Sequence, residues 1–148
     1  MAKIKFTKGE LKRQRDTLKQ FEHYLPILQL KKQQLQLEIH RIHDKLNLKI
    51  QEIDTLENEI SDWAGLLNEP IEHLSQWITP KEVVKSVYNI AGIDTPVFER
   101  VAFEDAEYDL FLTPLWVDIA TQTIRAYIVL LEEEKVLKEQ LEILRSEL

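Results

Sequence analysis

The sequence has no cysteine, which removes disulfides, thiolate metal sites and cysteine nucleophiles together. Three glycines and five prolines in 148 residues are too few turn-forming residues for a sheet-rich domain. Long apolar runs are missing as well. The longest, Ala126-Tyr127-Ile128-Val129-Leu130-Leu131, has six residues, where a membrane-spanning helix needs about 20. The opening MAKIKFTKGE holds no apolar block of signal-peptide length. With 44% hydrophobic and 30% charged residues, the chain is expected to be a soluble, intracellular, mainly helical single domain.

Charge is unevenly spread. Residues 1–50 carry twelve Lys/Arg against five Asp/Glu, a balance of +7, and residues 51–148 carry seven against twenty-one, a balance of −14. Either the two parts meet each other or each faces a different partner. The basic residues alternate with carboxylates and no aromatic platform accompanies them, so no nucleic-acid partner is expected.

What the chain does have is a repeat. Thr7 and Glu10 fit a capping box, and a long helix is expected from there to Asn68 and Pro70, over 7–68. From Leu18 a 3-4 spacing runs through Phe21, Leu25, Leu28, Lys32, Leu35, Ile39, Ile42, Leu46, Lys49, Ile53, Leu56, Ile60, Trp63 and Leu67. Thirteen of these fifteen positions are apolar, a coiled-coil seam about 90 Å long with its cap. Pro26 lies beside the seam and predicts a kink rather than a break.

A second helix is expected over 114–148, with Thr113 as N-cap, Pro114 at its first position and Leu137, Leu141 and Leu144 on its seam. Between the helices, 69–113 forms a connector. IEHLSQWI reads as a short helix, and 82–104 reads as a β-hairpin turning between Gly92 and Pro96. Two strands alone are marginal, so they should pack on the helix ends, with Trp63, Trp77 and Trp116 between. The fold class is therefore mainly α: a long antiparallel two-helix coiled-coil hairpin with a small β-hairpin in its connector.

Folding the helices antiparallel, with Leu67 opposite Pro114, makes residue numbers across the seam sum to about 181. Glu132, Glu133 and Glu134 then approach Lys45 and Lys49, Glu139 and Glu142 approach Arg41, and Glu147 approaches Lys31 and Lys32. Leu148 falls opposite roughly residue 33. The earlier seam residues (Leu11, Leu18, Phe21, Leu25 and Leu28) are left with nothing from this chain to cover them. A returning helix that continues past 148 is the favoured cover; without it, the expectation is a monomer or a weak dimer through that stripe.

FTKGELKRQRDTLKQFEHYLPILQLKKQQLQLEI, VYNIAGIDTPVFE and TPLWVD resemble the D subunits of the V-type (A/V-type) rotary ATP synthases, in their bacterial form. The resemblance covers the whole chain. It implies a long N-terminal helix, a central β-hairpin and a returning helix that in the family runs on for several tens of residues not found here. The function it implies is mechanical: a non-catalytic central-stalk shaft carrying torque between the catalytic A/B ring and the membrane ion-translocating rotor. Lys8, Lys12, Arg13, Arg15 and Lys19 would touch the lining of the ring. Tyr88, Ile93 and Phe98 would lie on the connector, toward the F subunit and the stalk-to-ring subunit. The complex would hold the chain at the inner face of the cell membrane, and no cofactor is implied. Lacking the rest of the returning helix, this chain alone should not make a working shaft.

Sharper readings fare worse. His40 and His43 sit three apart with Glu38 and Asp44 nearby, but off the seam, and read as solvated rather than metal-binding. TKGELK lacks the glycine spacing of a phosphate loop. Glu104, Asp105, Glu107 and Asp109 have no calcium-loop spacing. Lys32 and Lys49 read as seam lysines that reach out of the stripe. A prefoldin-like coiled-coil chaperone is the alternative from another class, and the unequal helices, about 26 residues apart in length, weigh against it. No nucleophile–base pair supports an enzyme.

Overall fold

The computed structural model describes residues 3, 6–65, 73–107, 109 and 111–148. Five elements follow in order: helix α1 (Lys8–Trp63), a single turn α2 (Leu74–Ile78), strands β1 (Pro80–Ile90) and β2 (Ile93–Phe103), and helix α3 (Leu115–Ser146). The expected helix end at Asn68 and Pro70, and the pairing of Leu67 with Pro114, lie outside the described residues.

The N-terminus of α1 is capped by half of a capping box. Thr7 accepts the backbone N–H of Glu10 through its hydroxyl at 3.2 Å. The Glu10 carboxylate accepts from Gln14 Nε2 at 3.1 Å instead of returning to Thr7. The helix continues unbroken through Pro26. At α3 the expected cap shifts by one residue. Asp109 takes the N–H groups of Leu112 and Thr113 on its carbonyl and that of Phe111 on its side chain, which holds Thr113 in the preceding turn. Pro114 takes the N-cap position and the helix starts at Leu115.

α1 and α3 run antiparallel, pinned by the ion pair of Lys49 Nζ with Glu133 Oε2 at 2.7 Å. Leu35, Ile42 and Leu46 of α1 meet Leu141 and Leu144 of α3 in one core cluster. A second cluster forms at the start of α3, where Leu74 and Trp77 of α2 bury Val117, with Trp116 alongside. Trp77 and Trp116 therefore pack α2 against the start of α3 rather than the strands against the helix ends, and Trp63, half-buried at the end of α1, belongs to neither cluster.

The hairpin departs furthest from expectation. It does not stop at the helix ends but lies along the helix pair, bringing Ile90, Ala91 and Ile93 into the Leu35–Leu144 cluster. Its turn is two residues, Ala91 (φ 51°) and Gly92 (φ 85°), a left-handed pair of the kind that matches strand twist. Asn89 braces it, accepting Gly92 N–H on Oδ1 at 3.0 Å. Pro96, expected to close the turn, sits inside β2 opposite Val87. Proline fits there because the pair's N–H groups point away from the ladder, so none is lost. Thr95 is buried on the inner face, its hydroxyl donating to the Tyr88 carbonyl at 3.0 Å.

Candidate interaction surfaces

Three α3 side chains, Arg125, Glu139 and Gln140, make polar contacts among the described residues with the hairpin and with α2 at its base. At its base, Arg125 Nε donates to the Trp77 carbonyl at 2.8 Å and Nη2 to the Glu104 carbonyl at 2.5 Å. The same guanidinium stands over the Phe103 ring, 5.0 Å from its centre. One planar, permanently charged group thus ties α2, the end of β2 and α3 together. Midway, Lys85 Nζ pairs with Glu139 at 3.3 Å. Near the tip, Gln140 Nε2 donates to the Pro96 carbonyl at 2.5 Å. None of these was anticipated from the sequence. Gln140 and Arg125 are polar residues on a helix otherwise read for its leucines, and only a partner strand gives them a role.

The helix-to-helix charges rearrange accordingly. Among the described residues, Lys49 alone pairs across the seam, with Glu133. Glu139 goes to Lys85 rather than Arg41, which pairs with Glu38 in its own helix. Glu132 and Glu134 pair with Lys135 and Lys138 along α3. Lys45, Lys31 and Lys32 hold no ion pair among the described residues. Lys49 does not simply snorkel out of the stripe. Its pKa is raised above the ordinary lysine value, first by its bond to Glu133 and further by Glu52, while burial acts the other way.

The seam residues divide into two groups. Leu35, Ile42, Leu46, Ile53, Leu141 and Leu144 are buried, and Ile39, Leu56, Ile60, Trp63 and Leu137 are half-buried. Leu18, Phe21, Leu25 and Leu28 are exposed in this chain, as is Leu11. The basic residues Lys8, Lys12, Arg13, Arg15 and Lys19 line the same stretch of α1 and are all exposed. Of the three connector residues expected at a partner contact, Tyr88 is 62% exposed. Ile93 packs into the core cluster, and Phe98 lines a cavity of about 580 Å³ between the hairpin and the helices, with Ile42, Lys45, Leu48 and Val136.

Among the described residues no three His, Asp or Glu side chains stand together as a metal site. His40 and His43 are both exposed, and the latter's Nδ1 meets Asn47 Nδ2 at 3.3 Å. No helix of the described residues is long and apolar enough to cross a membrane. The described residues form an antiparallel pair of long helices with a two-stranded hairpin strapped along its side.

The comparison with known proteins is specific. Residues 10–148 match the family model of the ATP synthase D subunit. The chain is 44% identical over 147 residues to the V-type ATP synthase D subunit of Borreliella burgdorferi, covering 99% of this chain and 72% of that protein. It is 30% identical over 152 residues to the protein of that name from Chlamydia trachomatis, covering 99% and 73%. The Chlamydia caviae protein is 28% identical over 149 residues, covering 99% and 72%. The chain belongs to the family of V-type ATP synthase D subunits.

Proposed function

We propose that this chain is a torque-bearing part of the central stalk in a V/A-type rotary ATPase or ATP synthase. It would not itself be catalytic and would link the catalytic A/B ring to the membrane ion-translocating rotor. The observation that carries this reading is the uncovered half of α1. An apolar stripe there is flanked by exposed Lys8, Lys12, Arg13, Arg15 and Lys19, continuous with a half that is packed and ion-paired. Contacts inside a ring must release as often as they form. Exposed lysines and arginines, each worth only tenths of a kcal/mol in a surface pair, suit that requirement. The connector end would face the F subunit and the stalk-to-ring subunit, at the inner face of the cell membrane, with Tyr88 exposed farther along the helix pair beside Gln34, Leu37 and Arg41.

The absence of cysteine allows a clean test. Lys12→Cys, assembled with the A, B and F subunits, should form a reversible crosslink to cysteines placed in the ring lining. That crosslink should stop ATP hydrolysis until reductant is added. Hydrolysis continuing at full rate with the crosslink intact would overturn the shaft reading.

A further inference from the structure

Charge separates the two ends of the helix pair. Residues 51–80 and 101–124 hold twelve carboxylates and no lysine or arginine. The hairpin stretch between them, 81–100, balances Lys81, Lys85 and Arg100 against Glu82, Asp94 and Glu99. Among the described residues the fold gathers both acidic stretches at the connector end. Glu52 and Glu59 of α1 line one cavity with Leu130 of α3, and the Glu104 carbonyl is drawn onto α3 by Arg125. That arginine, the next cation along α3, is already engaged by two carbonyls and the Phe103 ring. Within this acidic end lies an apolar surface. Asp109 orders the turn before α3 by taking the N–H groups of Phe111, Leu112 and Thr113, yet the turn holds Phe111 and Leu112 out to water. Helix α3 continues the surface with Leu115 and Ile119, four apart on the face opposite the buried Val117 and Thr121. All four side chains are 63–97% exposed. A lone exposed leucine is ordinary, whereas four large apolar side chains on one hydrogen-bonded stretch mark a contact surface.

We propose that Phe111, Leu112, Leu115 and Ile119 form the apolar centre of a docking surface whose acidic surround selects a basic partner. That partner is another subunit of the complex, presenting apolar side chains ringed by lysine and arginine. The inference rests on the chain working inside a multi-subunit assembly, and it gives the connector end of that reading a chemistry. Charge chooses the occupant. Taken whole, residues 51–124 carry fifteen carboxylates against three Lys/Arg, a balance of −12, so no local pairing of Lys81, Lys85 or Arg100 reverses the sign. The same charge disfavours the other occupants. A second copy of this chain would bring two such ends together, and the anionic inner leaflet of a membrane would repel this one. The apolar centre supplies the affinity, while the surrounding carboxylates steer the partner and fix its orientation.

Titration of the full chain with the purified F subunit and, separately, with the purified stalk-to-ring subunit tests the proposal. The parent should bind at least one of them, more weakly as salt rises from about 50 to 200 mM. Leu115→Gln combined with Ile119→Gln should weaken that binding at least about tenfold. The unfolding midpoint should stay in place, because both side chains are exposed. Asp105→Asn combined with Glu107→Gln should weaken binding less and flatten its dependence on salt. Parent-like binding by the Leu115 and Ile119 double variant would overturn the docking surface and leave the shaft reading standing. So would a parent that assembles with the A and B subunits but binds neither probe, whereas a parent that joins none of them would overturn both. A lowered midpoint in that double variant would mean that the fold itself uses these side chains, and would also overturn the surface. Binding indifferent to salt would overturn the basic partner. Capture by phosphatidylserine vesicles, or self-association that the double variant abolishes, would assign the patch to a membrane or a second copy and overturn the proposal.

Discussion

The two halves of α1 carry the same repeat and meet different fates. From Leu18 to Leu28 the seam is 55–66% exposed, and at Leu35, Ile42, Leu46 and Ile53 it is 3–8% exposed. Spacing alone cannot separate them, because both halves keep a leucine-rich stripe on one face. The difference is whether α3 lies opposite. A heptad pattern thus records that a partner surface is required, and only the return geometry says where this chain provides one. Substitutions along the two halves should separate sharply.

The largest effect belongs to the covered half and its partner. Leu144 is fully buried between the helices and the hairpin tip. Leu144→Ala should lower unfolding free energy by about 3–4 kcal/mol, the range for a fully enclosed leucine whose cavity cannot collapse. Urea unfolding followed by helical circular dichroism measures it. A loss below ~1 kcal/mol would mean the hairpin tip does not close over this position.

Arg125 comes next and tests a different layer. Its contacts join the hairpin base to α3, so Arg125→Met should cost about 2–3 kcal/mol through two carbonyls losing a charged donor. The loss should show mainly as faster exchange in β1 and β2, with α1 from Leu35 to Ile53 little changed. Arg125→Lys should recover only part of it, since one ammonium cannot reach both carbonyls in the guanidinium's fork geometry. Uniform loss of protection along α1 would instead make the strap part of the helical core.

Much of this architecture is legible in the sequence because it rests on periodicity. The seam, the antiparallel return and the approach of Glu133 to Lys49 all follow from spacing and charge, and that pair falls at a residue sum of 182 against the expected 181. The hairpin's placement is not legible in that way. Pro96 looks like a turn residue until the pairing shows its nitrogen facing outward, and Gln140 gives no periodic signal, being a polar residue buried against a carbonyl. Gln140 depends on a contact 44 residues away in the chain, which no local pattern encodes, and Pro96 on the register with Val87 that the two-residue turn sets. The candidate partner residues divide the same way. Tyr88 stays at the surface, while Ile93 is absorbed by a core the connector was not expected to reach.

Lys49 marks the paired half electrostatically, and its effect is smaller. With 29% of its side chain exposed, Lys49→Met should cost about 1 kcal/mol, well short of a fully buried pair. The pH dependence has a fixed sign. A lysine whose folded pKa stands above the ordinary 10.5 contributes fully below that value. The contribution then fades as pH rises through the folded pKa. Between about pH 10 and 12, the parent should therefore lose more stability than Lys49→Met does. Parallel curves over that window would remove Lys49 from the account of why this half is held.

The smallest effect is the most informative about the exposed half. Leu25, 55% exposed, sits at the same seam position as its buried counterparts one or more turns on. Leu25→Ala should change the stability of this chain by no more than ~0.5 kcal/mol, because little apolar area leaves water there on folding. Assembly is where that leucine should matter. If residues 11–28 are covered by another surface in the complex, Leu25→Ala should weaken the assembled state while leaving the isolated chain's unfolding midpoint in place. A large loss in the isolated chain would mean that its own fold already shelters this stripe, and the two halves of α1 would no longer be distinct.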